Sequence, residues 1–337
     1  MKKNDNLIWL NALRCVATFS VILLHLSVPV VNNFNKILPE SWLTGNIING
    51  INRFCVPVFL MISGVLLLGK NYSLETFLTK RITRIVLPFI FWSIIYFLIK
   101  INSFDTIEVN IMIFLKGMKQ GMEYHLWYIY MIIGLYLFLP IINGWVKNAS
   151  EHEVIYFLLI WMIVLLLNLP FFNKFFTRID FRYFSGFIGY VVLGYFLNNY
   201  IKFRNRSFFA GIFIFGAIIT ITLTYFLSIR DNKLNSIFYQ YLSPNVILSS
   251  CGLFLFFKNI SFKNKILINV INFISTYSFG VYLSHVFVIW VFSKLGINVS
   301  YSYPLISILG LGFLCLTISL FITFTLSKIP LGKYISG

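Results

Sequence analysis

Carboxylates are scarce in this sequence: Asp and Glu number 10 in 337 residues, against 27 Lys and Arg. Charge of either sign is sparse, at 11% of residues, where a water-soluble domain carries about 25%. Hydrophobic residues make up 59% and the mean hydropathy is +0.85. That leaves too little polar surface to cover a soluble globule of this size, so the solvent of the chain is lipid. Cysteines number 4 (Cys15, Cys55, Cys251 and Cys315), all in or beside apolar segments. They lack metal-ligand spacing and form no secreted disulfide framework, and they read as small buried apolar residues. No sustained cationic face accompanies the net charge of +17; the basic residues are scattered in short loops. Cytoplasmic loops and an anionic ligand account for them, and nucleic acid does not. Lys2 and Lys3 lead into an apolar stretch that lacks a small-residue cleavage site and exceeds a signal-peptide core. It reads as a retained first span.

What is present is a series of apolar runs, each near the ~20 residues needed to cross the hydrocarbon core. They fall near 7–30, 47–69, 85–101, 126–143, 154–171, 184–200, 208–229, 244–257, 270–293 and 304–327. The run near 244–257 is short and follows Ser243-Pro244-Asn245, so it starts inside the leaflet or continues back through Ile237 to Leu242. Backbone groups in lipid must bond internally, so each run is expected to be a helix or a broken helix buried among others. The expected fold is an all-α membrane protein of about ten transmembrane helices in one bundle. There is no internal repeat, no low-complexity linker and no loop of domain size, which reads as a single domain over 1–337. With both termini cytoplasmic, 15 Lys and Arg fall inside and 11 outside, with Arg14 left within a span. That bias has the sign of the positive-inside rule.

Ionisable groups within a span are expensive and face the protein interior for a reason. The first span holds two, Arg14 and His25. At about 100° per residue, eleven steps return to within roughly 20° of the same face, with a rise of about 16 Å. One face then carries a fixed cation in the cytoplasmic half and an imidazole in the outer half. The rival reading is a snorkelling Arg and a core His satisfied by a neighbour.

An Arg and a His separated by ten residues in an N-terminal span resemble the signature of integral membrane acyltransferase family 3. Other blocks resemble the family in its order. Arg53-Phe54-Cys55-Val56-Pro57-Val58-Phe59-Leu60-Met61-Ile62-Ser63-Gly64 looks like its second span. Arg81-Ile82-Thr83-Arg84-Ile85-Val86-Leu87-Pro88 is similar to the basic cytoplasmic start of its third. His125-Leu126-Trp127-Tyr128 and Ser278-Phe279-Gly280-Val281-Tyr282-Leu283-Ser284-His285 also look like family blocks. The likeness is to the short members, without an appended esterase-like domain, of the surface-polysaccharide O-acetyltransferase type. It implies an acyltransferase of the bacterial cytoplasmic membrane, moving an acyl group, expected to be acetyl, from acyl-CoA to a carbohydrate or lipid-linked glycan. No tightly bound cofactor is implied, and acyl-CoA is a co-substrate.

The residues make chemical sense of those blocks. Arg donates in a bidentate fork suited to phosphate, so Arg81 and Arg84 at the cytoplasmic mouth of the third span suit the nucleotide end of acyl-CoA, with Arg14 further in. Ordinary positive-inside anchoring is the alternative. No span carries an Asp or Glu in its interior, so the intramembrane base must be a His, whose near-neutral pKa suits proton transfer from a sugar hydroxyl. His25 is read as that base. His285 is three residues after Tyr282 and seven after Ser278, so the three share a helix face. His285 and His125, with Arg53, Trp127 and Tyr282, are expected on the acceptor side. The histidines come from separate spans without short spacing, which argues against a zinc site. His152, between Glu151 and Glu153, reads as solvated surface. Tyr128 and Tyr130 stack on a sugar or anchor at the interface. Ser63-Gly64, Gly186-x-x-Gly189 and Gly310-x-Gly312 read as close helix contacts. A transporter or flippase for lipid-linked sugar is the competing class; it is expected to show paired repeats and broken helices.

Overall fold

The computed structural model describes residues 7–101, 106–172 and 186–337. Among them are twelve α-helices and no strand. In chain order these are α1 (Ile8–Asn32), α2 (Pro39–Ile51), α3 (Cys55–Leu67), α4 (Leu74–Lys100), α5 (Ile107–Gln120) and α6 (Trp127–Asn148). They continue with α7 (Glu151–Leu167), α8 (Ile188–Asn199), α9 (Arg206–Arg230), α10 (Pro244–Lys258), α11 (Lys265–Lys294) and α12 (Pro304–Lys328). Lys2 and Lys3, and three of the cations read as outside (Lys174, Arg178 and Arg182), fall outside the described residues.

The starts of these helices follow from local chemistry. The Ser73, Thr106 and Asn205 side chains accept backbone N–H bonds at the starts of α4, α5 and α9. Ser150 and Glu153 form a reciprocal capping box on α7. Pro39, Pro244 and Pro304 each open a helix, where a missing N–H costs nothing.

Eight helical segments among the described residues are long and apolar enough to cross a membrane. They are Ile8–Asn32, Pro39–Leu67, Leu74–Lys100, Ile107–Asn148, Arg206–Arg230, Ile237–Lys258, Lys265–Lys294 and Pro304–Lys328. The other two expected spans fall on α7, with 17 residues, and α8, with 12. The protein is an all-α, multi-pass membrane protein. Three boundaries differ from the sequence reading. The second segment begins at Pro39, so Arg53 lies in a 3₁₀ turn (Asn52–Phe54) between α2 and α3 and does not open the helical segment. α4 begins at Leu74, placing Arg81 and Arg84 inside the helix. α5 occupies a stretch without an apolar run of span length; none of its side chains is buried, and Gly121 (φ +98°) ends it.

The chain divides into two compact units. The first comprises Met1–Lys70, Asn143–Ser275 and Asn298–Leu314. Its helices pack on small residues. A Cβ on Gly216 would lie 2.6 Å from the Ser249 nitrogen of α10, and one on Gly64 or Gly194 would overlap backbone across the α3–α8 contact. Lys258 Nζ donates to the carbonyls of Leu197, Asn198 and Ile201 at 2.7–2.8 Å, satisfying oxygens at the end of α8 that its own ladder leaves over. The glycine motifs split. Gly64, Gly189 and Gly312 face close neighbours, whereas Gly186 and Gly310 have open space where a Cβ would stand. One substitution therefore has two outcomes. Gly194→Ala drives a methyl into Met61 backbone and is expected to cost about 1–3 kcal/mol as overpacking. Gly310→Ala, in open space, is expected to stabilise by about 0.5–1 kcal/mol. Thermal unfolding in detergent reads both, and a Gly194→Ala midpoint at or above wild type would overturn the contact.

The second unit comprises Asn71–Ile142, Thr276–Ile297 and Cys315–Gly337. Its centre is built by Tyr96 of α4, Leu126 and Ile129 around the start of α6, and Val281 and Leu283 of α11, all buried. Lys100, ending α4, pairs with Glu123 at 2.9 Å and donates to the Met122 carbonyl, which ties the turn before α6 to α4. Gly280 receives the Ser336 carbonyl so closely that no side chain fits there.

Candidate active site

In the second unit, two histidines meet. His125 sits in a 3₁₀ turn (Tyr124–Leu126) immediately before α6, and His285 lies in α11. They are 1% and 0% exposed, with ring centroids 5.1 Å apart and planes near perpendicular. Tyr96, Tyr124 and Tyr282 surround the His125 ring at 5.4, 5.9 and 5.5 Å. The turn carrying His125 is held by its own backbone, since the Tyr282 hydroxyl donates to the His125 carbonyl.

His285 has a defined tautomer. Its Nδ1 lies 2.6 Å from the Tyr282 carbonyl and 3.3 Å from that of Val281. A carbonyl only accepts, so Nδ1 carries a proton. The sequence reading placed Ser278, Tyr282 and His285 on one face of a helix, and α11 carries all three. Cys315 approaches the His285 carbonyl with Sγ at 3.5 Å. Tyr128 stands 5.4 Å from Tyr282 by ring centroid, and Trp127 is half-buried at the first residue of α6. Two imidazoles thus stand among tyrosine rings in one buried cluster.

In the first unit, Arg14 and His25 both lie on the unbroken α1, half-buried. One guanidinium nitrogen of Arg14 donates to the Ser275 hydroxyl at 3.2 Å. Asn11, one turn earlier, joins the same group through Ser275 and Asn272. Ser275 thus fixes one end of the Arg14 guanidinium.

Arg53 is set in a more elaborate cage. Its Nε donates to Asn49 Oδ1 at 2.8 Å and another nitrogen to the Tyr239 carbonyl at 3.2 Å. The guanidinium lies over the Tyr239 ring, 4.2 Å from its centroid, with Tyr241 at 5.8 Å. The line continues inward: Asn49 donates to the Ser27 hydroxyl at 2.8 Å, and the Tyr239 hydroxyl donates to Asn46 Oδ1 at 2.6 Å. Ser27, Asn46 and Asn49 are fully buried. Sequence reasoning missed Asn46, Asn49 and Tyr239. A usable signal existed in Asn46, Asn49 and Arg53, whose spacings of three and four residues place them on one helix face.

Arg81 and Arg84 lie three residues apart in α4, half-buried and exposed respectively, both in the second unit. His152 is exposed in the first turn of α7. Among the described residues, no group of three or more His, Cys, Asp or Glu is placed to hold a metal ion.

The family model described as an acyltransferase domain matches residues 7–326, which takes in Arg14, His25, Arg53, Arg81, Arg84, His125 and His285. No curated protein and no solved structure matches the chain. A match over nearly the whole length settles the class: the chain belongs to acyltransferase family 3 and is a membrane-embedded acyltransferase.

Proposed function

We propose that this enzyme is an O-acyltransferase that moves an acyl group, in the simplest case acetyl, from cytoplasmic acyl-CoA to a hydroxyl of an extracytoplasmic or lipid-linked carbohydrate. The observation that carries this reading is the buried pair of His125 and His285, ring centroids 5.1 Å apart, with His285 Nδ1 held on the Tyr282 carbonyl of its own helix. A bacterial cytoplasmic membrane and a ten-span arrangement with both termini inside belong to the same proposal, supported by the distribution of Lys and Arg.

The chemistry is a single displacement. The acceptor oxygen attacks the thioester carbonyl as a histidine takes its proton; the tetrahedral intermediate collapses, the C–S bond breaks, and the thiolate leaves to be protonated by the histidinium. His25 is assigned that base role. His285, with His125, Tyr282 and Trp127, is assigned to the acceptor. Arg53 is assigned to negative charge on the acceptor or the oxyanion, and Arg14, Arg81 and Arg84 to the phosphates or thioester end of acyl-CoA.

The test uses the full chain in lipid nanodiscs, with acetyl-CoA as donor and a host-membrane glycolipid extract as acceptor. Released CoA thiol and acylated glycolipid are expected in equal amounts. No thiol release above that of an empty nanodisc would overturn acetyl-CoA as donor. In calorimetry, Arg81→Ala and Arg84→Ala are each expected to weaken CoA binding about tenfold, since a hydrogen bond to a charged group is worth about 1.5–3 kcal/mol. Two variants that bind like wild type would remove the start of α4 from the CoA site.

A further inference from the structure

We infer that Tyr96 is a positioning residue for His285, acting through the helix turn on which that histidine stands. The inference rests on the proposed role of His285 and extends it to a residue that touches neither reactant in that proposal. Tyr96, on α4, is 2% exposed. Its hydroxyl donates to the Leu283 carbonyl at 2.7 Å and accepts from the Phe287 N–H at 3.1 Å. Those two groups are four residues apart on α11, the pair that an α-helix joins to itself. His285 lies between them.

The choice of partners gives the hydroxyl its meaning. Backbone groups in lipid must be satisfied, and here the Tyr96 hydroxyl meets both the Leu283 carbonyl and the Phe287 N–H. An α-helix could join that pair by itself, so the hydroxyl is not needed merely to satisfy them. What it adds is geometry, because a group set into the ladder governs the local axis and the spacing of that turn. The same turn sets where the His285 ring points, since Nδ1 is tied to carbonyls at Val281 and Tyr282. Tyr96 also places its ring against His125, 5.4 Å away and 75° from parallel, so one side chain addresses both histidines of the second unit.

Tyr96→Phe removes the oxygen and keeps the ring. Without the hydroxyl, the Leu283 and Phe287 groups can close on each other, so the variant is expected to stay folded with a thermal midpoint near wild type. Displacing a reacting group by about 1 Å can cost on the order of 10²-fold in rate. In nanodiscs with acetyl-CoA and the glycolipid extract, Tyr96→Phe is expected to lower kcat roughly 10- to 100-fold, with KM for acetyl-CoA within about twofold. The cycle with His285→Gln supplies the readout that a merely structural role would not move. If Tyr96 works through His285, the double variant is no slower than His285→Gln alone. Hydrogen exchange over residues 281–289 of Tyr96→Phe, which requires no turnover, is expected to change there and not elsewhere in α11.

Wild-type kcat in Tyr96→Phe beside an inactive His285→Gln would overturn the positioning inference and leave the site reading intact. Normal transfer by His285→Gln would overturn the site reading and the inference with it. Additive losses in the double variant, or unchanged exchange over 281–289, would also overturn the inference.

Discussion

His285→Gln is expected to leave the protein folded and able to bind CoA while transfer to the proposed glycan acceptor falls on the order of 10²-fold, the usual cost of misplacing a reacting partner by about 1 Å. Nδ1 is held by the Tyr282 carbonyl, which fixes the direction of the ring. Gln keeps much of the volume and a polar end and loses the ring whose direction the helix sets, so the acceptor loses its positioned partner. The structural cost is small because the carbonyls of Val281 and Tyr282 lie within α11 and belong to its ladder. A purely structural histidine would behave differently: its loss would lower the unfolding temperature and reduce CoA binding and transfer together. Three measurements on one preparation separate the accounts: thermal midpoint, CoA affinity by calorimetry, and acylated glycolipid formed per minute. Normal transfer by a folded variant would return His285 to the structural class.

The helices were largely legible because lipid leaves so little choice. The runs read at 7–30 and 304–327 correspond to α1 (Ile8–Asn32) and α12 (Pro304–Lys328). An apolar stretch of span length has one local solution for its backbone groups. The reading failed where polar residues interrupt a helix that packing sustains. Ser41, Thr44, Gly45 and Asn46 disguise α2, yet Ser41, Gly45 and Asn46 are buried within it. α5 carries Glu108, Asn110, Lys116 and Lys119 among its apolar residues and has no run of span length to announce it.

The residues of the candidate site stand out in the sequence unevenly. His125 and His285 are conspicuous because histidine is rare in this chain, with 4 in all. Tyr96 is one tyrosine among 19, with 38 phenylalanines around them. No periodicity distinguishes a tyrosine that anchors at an interface from one whose hydroxyl meets backbone nearly two hundred positions away. The cage around Arg53 has the same character. Asn49 is its helical neighbour, but Tyr239 lies 186 residues on, and only the folded chain brings its carbonyl and ring to the guanidinium.

His25→Ala is expected to abolish detectable transfer, with a loss on the order of 10²–10⁴-fold, while the protein remains inserted and binds CoA. α1 runs unbroken from Ile8 to Asn32, so the eleven residues from Arg14 to His25 correspond to about 16 Å along its axis. Arg14 is fixed at the near end of that interval by Ser275. At the far end, Pro29 follows His25 by four residues and has no N–H to return to the His25 carbonyl, which loosens the ladder at the histidine's own turn. Within the described part of α1, these two are the ionisable side chains other than Cys15, so the helix spends its tolerance for such groups on one cation and one imidazole. If the imidazole is the base, its loss stops proton removal and leaves donor affinity unchanged, and kcat falls with the dissociation constant for CoA untouched. Arg14→Lys is expected to do the reverse: charge is retained and the fork is lost, so CoA affinity drops before turnover does. The opposite pairing, with His25→Ala weakening CoA and Arg14→Lys slowing turnover at saturating donor, would exchange the two roles. Near-normal acylation of the native glycan by His25→Ala would remove the base assignment altogether.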